Sequence, residues 1–122
     1  MIDGMQRSLD RLSRVRGVSG SMFVAADDGL AVAQLLMEGV NGKVLAAFAA
    51  SLARKVSGAA AATGAGKVKF IQMQSTGGIL LVCAGGELLV TVVADAGVNV
   101  GLARLEMMRA VVRLPGSRSA GP

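Results

Sequence analysis

The sequence predicts an α+β fold: an α/β sandwich with one five-stranded antiparallel sheet, helices on both faces and the element order αββαβββα. Three observations predict it. Stretches with helical periodicity open, divide and close the chain, at 2–16, 42–62 and 95–114. Five short apolar runs lie between them, separated by Asp-Gly or Gly-Gly turn signals. The last two runs, "ILLVCA" and "LLVTVVA", are apolar on both faces. A strand wet on one side would alternate, so both are expected to be central, with helices above and below.

The first helix is expected over residues 2–16. Ile2, Met5, Leu9 and Leu12 recur every three or four residues, with arginines between them. Gly17 and Gly20 end it. "SMFVAADDGLAVAQLL" reads as a hairpin turning at Asp28-Gly29, a pair suited to a two-residue turn with positive φ. Asn41 is a candidate cap for the central helix.

At about 100° per residue, Val44, Leu45, Phe48, Leu52 and Val56 gather on one side of that helix, and this side is expected to lie on the sheet. Lys43, Ala46, Ala47, Ala50, Arg54 and Ser57 fall opposite. Ala at successive turns lets another helix approach closely, which points to contact with a second copy. The same alanines would also serve helix propensity on an exposed face.

"KVKFIQMQ", residues 67–74, is more polar than the two runs after it and fits an edge strand. Gly77-Gly78 and Gly85-Gly86 mark the turns between the last three strands. Asp95 or Asn99 can cap the closing helix. There Leu105, Met108, Val111 and Val112 lie broadly on one side, with Glu106, Arg109 and Arg113 on the other. Pro115 stops it, so one domain is expected over 1–114 and a flexible tail over 115–122.

Composition narrows the chemistry. Of 122 residues, 52% are apolar and 17% charged, which suits a globular domain. There is no His, Tyr or Trp and one Cys, so the commonest general base is missing and a single-chain zinc site lacks its usual ligands. No metal and no cofactor are expected. Cys83, inside an apolar run, reads as a buried structural thiol, and a lone Cys suits a reducing cytosol. Asp27 and Asp28 look like a carboxylate pair but sit at a turn, where Asp is a turn former. Apolar stretches are broken by Gly, Lys or Arg, and the N-terminus does not read as a secretory signal. No transmembrane helix and a cytoplasmic location are therefore expected.

The net charge of +5 is uneven: residues 1–18 and 101–118 hold eight arginines against three acids, while the middle of the chain sums to zero. Such ends form a solvated face or meet an acidic partner, an anionic membrane surface or non-specific nucleic acid.

"AATGAGKVKF", residues 61–70, invites comparison with a phosphate-binding loop. With Gly66-Lys67 as the Gly-Lys pair, Ala61 stands where the first Gly is needed and Val68 where a hydroxyl must hold magnesium. The order is also reversed, because a helix precedes the stretch and a strand follows. It reads instead as a helix stop, with Gly64 or Gly66 taking positive φ.

Four stretches in this order resemble the Roadblock/dynein-light-chain family, particularly its prokaryotic MglB-like members. They are "RVRGVSGSMFVAADDGLAVA", "AAFAASLARKV", "GGILLVCAGGELLVTVVAD" and "NVGLARLEMMRAVVRL", and the resemblance spans about residues 5–114. Arg16 stands where the family commonly has Pro, and the central helix is unusually rich in Ala. The resemblance implies a homodimer in which the central helix and third strand meet their mates. That places Lys43, Ala46, Ala47, Ala50, Arg54, Ser57, Lys67, Lys69, Ile71 and Met73 at or near the interface. It also implies a non-catalytic regulator of a small Ras-like GTPase, linked to cell polarity and motility, or a dimeric scaffold. Lys43, Ala47, Arg54 and Lys55 would then lie on the face that meets the GTPase.

Overall fold

Five strands, the interior ones buried on both faces, form one antiparallel sheet. In the computed structural model, which describes residues 2–114, the elements follow the expected order: α1 (Ile2–Ser13), β1 (Val18–Ala25), β2 (Ala31–Leu36), α2 (Gly42–Ala62), β3 (Phe70–Ser75), β4 (Gly78–Gly85), β5 (Leu88–Ala94) and α3 (Val100–Val112). The tail expected at 115–122 lies outside the described residues. Strands run β2-β1-β5-β4-β3 across the sheet. The doubly apolar β4 and β5 are interior, as expected, and β3 is an edge.

Helices cover both faces. On one, Met5, Leu9 and Leu12 of α1 and Ala103, Met107 and Ala110 of α3 pack over Phe23, Leu81, Val90 and Val92. On the other, Ala46, Ala49 and Ala50 of α2 pack over Met22, Val24, Leu80, Val82 and Leu89. Each layer thus buries the side chains of alternate strand positions.

The caps follow from short polar side chains. Asn41 Oδ1 accepts from Val44 N at 3.1 Å and opens α2; Asn99, not Asp95, does the same for α3, accepting from Leu102 N at 3.0 Å. Asp95 instead accepts from Gly97 N within its own turn. Beyond α2, Gly64 and Gly66 both take positive φ, and Ala65 N donates to Ala60 O at 2.8 Å. The stretch 61–66 is a helix stop, as expected.

Turns differ in detail. The β1–β2 connection is not the expected two-residue turn but a longer loop. Gly29 alone has positive φ there, its N–H donates to Ala25 O at 2.9 Å, and Asp28 Oδ1 accepts from Leu30 N. The tight turns between later strands are Thr76-Gly77 and Gly86-Glu87, since Ser75 pairs with Gly78 and Gly85 with Leu88. Residues 67–69 precede β3, although Lys69 O still accepts from Ala84 N at 3.0 Å.

The largest correction concerns which side of α2 faces inward. On α2, Ala46 and Ala50, expected to face a second copy, are 1% exposed against this chain's own sheet. Val44 and Phe48, expected on the sheet, are 62% and 45% exposed, while Leu45 and Leu52 are half-buried at the flank. The reason is distance. The sheet already presents Met and branched side chains, and the Gly29 loop tucks beneath the helix. A Cβ on Gly29 would lie 3.3 Å from Ala47 Cα and 3.4 Å from Ala50 Cβ. Only small side chains fit between layers so close. On α3, Leu105, Met108 and Val112 are exposed, Val111 is half-buried, and Ala103 and Ala110 face inward.

Thr91 sits at the centre of the sheet, opposite Met22 and Val82, with its hydroxyl buried and unbonded among the described residues. Thr91→Val keeps the shape and removes an unsatisfied polar group. Chemical denaturation should show a gain of about 1 kcal/mol.

Candidate functional site

α2 lies over β2, β1 and β5 and leaves the β4–β3 side of the same face less covered. The result is a groove. Ala50, Ala53, Arg54 and Ser57 form its helix wall, and Phe70 and Ile71 its strand wall, around a cavity of about 330 Å³. A second depression farther along joins Leu45 and Phe48 to Met73 and Ile79. Along the outer side of α2 run Val44, Ala47, Phe48 and Lys55, all exposed. Lys43, Arg54 and Ser57 are exposed as well, while Ile71 and Met73 are half-buried beside the helix. One side of the molecule therefore combines an apolar helix ridge, a groove and the unpaired β3 edge.

The fold brings most of the expected interface residues together here. Ala46 and Ala50 are the exceptions, packed against this chain's own sheet, with Ala50 also at the edge of the groove. Lys67 and Lys69 lie at the far end of the groove, before the strand begins. Val44 and Phe48 depart from the expectation because apolar or small residues occupy most of the circumference of α2, so periodicity does not fix its phase. The available signal was side-chain size: alanines in register with a glycine loop mark the close-packed side.

Electrostatics add one constraint. Arg54, the only arginine of α2, donates from Nη1 to Ala26 O at 3.2 Å, tying the helix to the β1–β2 loop. Across the sheet, the Arg104 guanidinium stacks 4.7 Å from the Phe70 ring centre and pins the start of β3 to α3.

Cys83 is buried on β4, and burial pushes its thiol above the ordinary 9.0, with Arg104 pulling weakly the other way. The folded state therefore holds the proton more tightly than the unfolded chain. Its stabilising share is present below pH 9.0 and is lost as pH rises beyond that value. Native protein should react with Ellman's reagent far more slowly than urea-unfolded protein.

Among the described residues, no cluster of three or more Asp, Glu or Cys side chains could hold a metal ion. By length and composition alone α2 is long and apolar enough to cross a membrane. Its buried alanines and its place on the sheet give that composition a second explanation.

The fold is thus a layered sheet with an unpaired edge beside an apolar helix ridge. The chain belongs to the Roadblock/LC7 domain family, whose profile matches residues 5–94. It is 33% identical over 114 residues to an uncharacterized protein of Methanocaldococcus jannaschii, MJ1340, covering 93% of this chain and 96% of that one. The fold is similar to that of the gliding protein MglB from Thermus thermophilus, with a TM-score of 0.78 at 20% identity over 90% of this chain and 84% of that one. It is similar also to an MglB described as having a tetrameric arrangement, with a TM-score of 0.79 at 21% identity and the same coverage.

Proposed function

We propose that this protein is a non-catalytic regulator of a small Ras-like GTPase and acts as a homodimer. The observation that carries the reading is the exposure of Val44 and Phe48 beside an unpaired strand edge. Two large apolar side chains on one helix ridge are unfavourable in water and suit a protein interface. An antiparallel β3–β3 contact would satisfy the edge and bring two α2 helices side by side. Val44 and Phe48 would meet their mates, with Ala47 and Ser57 close by. The MglB-like fold and the family resemblance support a GTPase as the further partner, docking near Lys43, Ala47, Arg54 and Lys55.

GTPase activators either insert an arginine or reposition the GTPase's own groups. Arg54 is held by Ala26 O, which supports repositioning. It equally supports a second reading, a dimeric adaptor that binds without stimulating hydrolysis.

The test is GTP turnover by a cognate GTPase with and without this protein. Stimulation is expected, and Arg54→Ala should retain it within about threefold, whereas loss of an arginine finger would cost about 10³-fold or more. Binding without stimulation selects the adaptor. Binding to neither nucleotide state removes the GTPase reading altogether.

A further inference from the structure

The two helices that carry the chain's excess charge lie on the same side of the sheet, opposite α2. From this we propose that the α1/α3 side docks on a lipid bilayer bearing anionic headgroups.

Charge supports it first. Among the described residues, Arg7, Arg11, Arg14, Arg16, Arg104, Arg109 and Arg113 stand on α1, α3 or the turns just after them, against Asp3, Asp10 and Glu106. Two of those acids are used internally: Asp10 pairs with Arg14 at 2.6 Å and Glu106 with Arg109 at 2.8 Å. Arg7, Arg11 and Arg113 are exposed and make no ion pair among the described residues.

Shape supports it next. With Ala103, Met107 and Ala110 turned inward, α3 presents Leu105, Met108 and Val112 outward at 44%, 49% and 71% exposure. Around the helix, Arg109 and Arg113 flank this stripe on one side and Arg104 on the other. The depression at its centre is formed by Met108, Arg109, Val112 and Arg113, all from α3 itself. No second element walls it, whereas between α1 and α3 a cavity of about 310 Å³ is lined by Asp3, Arg7, Ser8 and Arg113. A basic surface with protruding apolar tips matches an anionic bilayer: guanidinium groups reach phosphates, their stems lie along the apolar stripe, and the tips enter the headgroup region.

The face has no exposed aromatic anchor, so binding is mainly electrostatic and weak for one copy. The homodimer proposed above would strengthen it. Antiparallel β3–β3 pairing places the two-fold axis along the sheet normal, so both α1/α3 faces point the same way and bind together.

The experiment is co-sedimentation of the full chain with vesicles of phosphatidylcholine alone or mixed with phosphatidylglycerol, at low and high salt. Binding to the mixed vesicles only, weakened by salt, is expected. The double variant Arg11→Gln/Arg113→Gln should lower partitioning about 10- to 30-fold. Met108→Gln should lower it by a smaller factor and leave the salt dependence unchanged, with far-UV circular dichroism confirming the fold. Phe48→Glu, which disrupts the proposed dimer but not this face, should weaken binding without abolishing it. Loss of assembly therefore remains distinguishable from loss of the lipid face. No sedimentation with mixed vesicles at low salt would overturn the proposal, as would equal binding to phosphatidylcholine. Capture by polyglutamate or duplex DNA in place of vesicles would overturn it too and assign the face to a protein or nucleic-acid partner.

Discussion

Replacing Phe48 with glutamate is expected to turn the proposed homodimer into a 12.3 kDa monomer while leaving the fold intact. Phe48 is already 45% exposed in the single chain, so its removal opens no cavity. Stability should change by no more than about 0.5 kcal/mol. In the proposed dimer the same ring is buried against its mate. A charge there meets an apolar surface, at a cost of about 2–4 kcal/mol per side chain. Two copies double the effect across a two-fold interface. Sedimentation equilibrium at micromolar concentration and a thermal melt decide the matter together. Wild-type protein already monomeric under those conditions would remove the homodimer. A variant that dimerises as before would place the interface elsewhere.

Ala50→Leu should do the reverse. Ala50 is 1% exposed and faces the sheet and the Gly29 loop. Three extra carbon atoms would press on the sheet and the Gly29 loop, much of it backbone, with space only on the side toward the groove. Overpacking of this kind costs typically about 1–3 kcal/mol, and the upper end is expected because α2 would have to lift from the loop. Tm should fall by roughly 10 °C. Any assembly lost would follow from unfolding, so the remaining folded fraction should still associate. The two variants form a contrast. If the alanine side met a second copy, Ala50→Leu would disrupt assembly without lowering Tm, and Phe48→Glu would destabilise the single chain. The opposite pattern is expected on both counts.

The candidate surface was legible in the sequence as a region, not as a set of contacts. The central helix and the following edge strand, the elements expected to form it, do lie side by side in the fold. Lys43, Ala47, Arg54, Lys55 and Ser57 do lie on exposed parts of that helix, and Ile71 and Met73 do line its groove side. Phe48 and Val44 were assigned inward because large apolar residues are usually buried. The tether between Arg54 and Ala26 joins residues 28 apart, and no local pattern could reveal it. The β2 edge, where Val32, Leu35 and Met37 are exposed, also carried no sequence signal, because an apolar run reads alike at an edge and in the interior.

Local chemistry determined the elements and their order. Periodicity, Asn at helix starts, Gly at stops and turns, and doubly apolar runs for interior strands are properties of a few neighbouring residues, and they act before the chain folds. Tertiary structure decided the rotation of α2 and α3 about their axes, the length of the first hairpin loop and the gathering of the arginines on one side. Those outcomes depend on how closely two layers approach. That separation is set jointly by every side chain between them, so the smallest residues go inward wherever the opposing surface is already full.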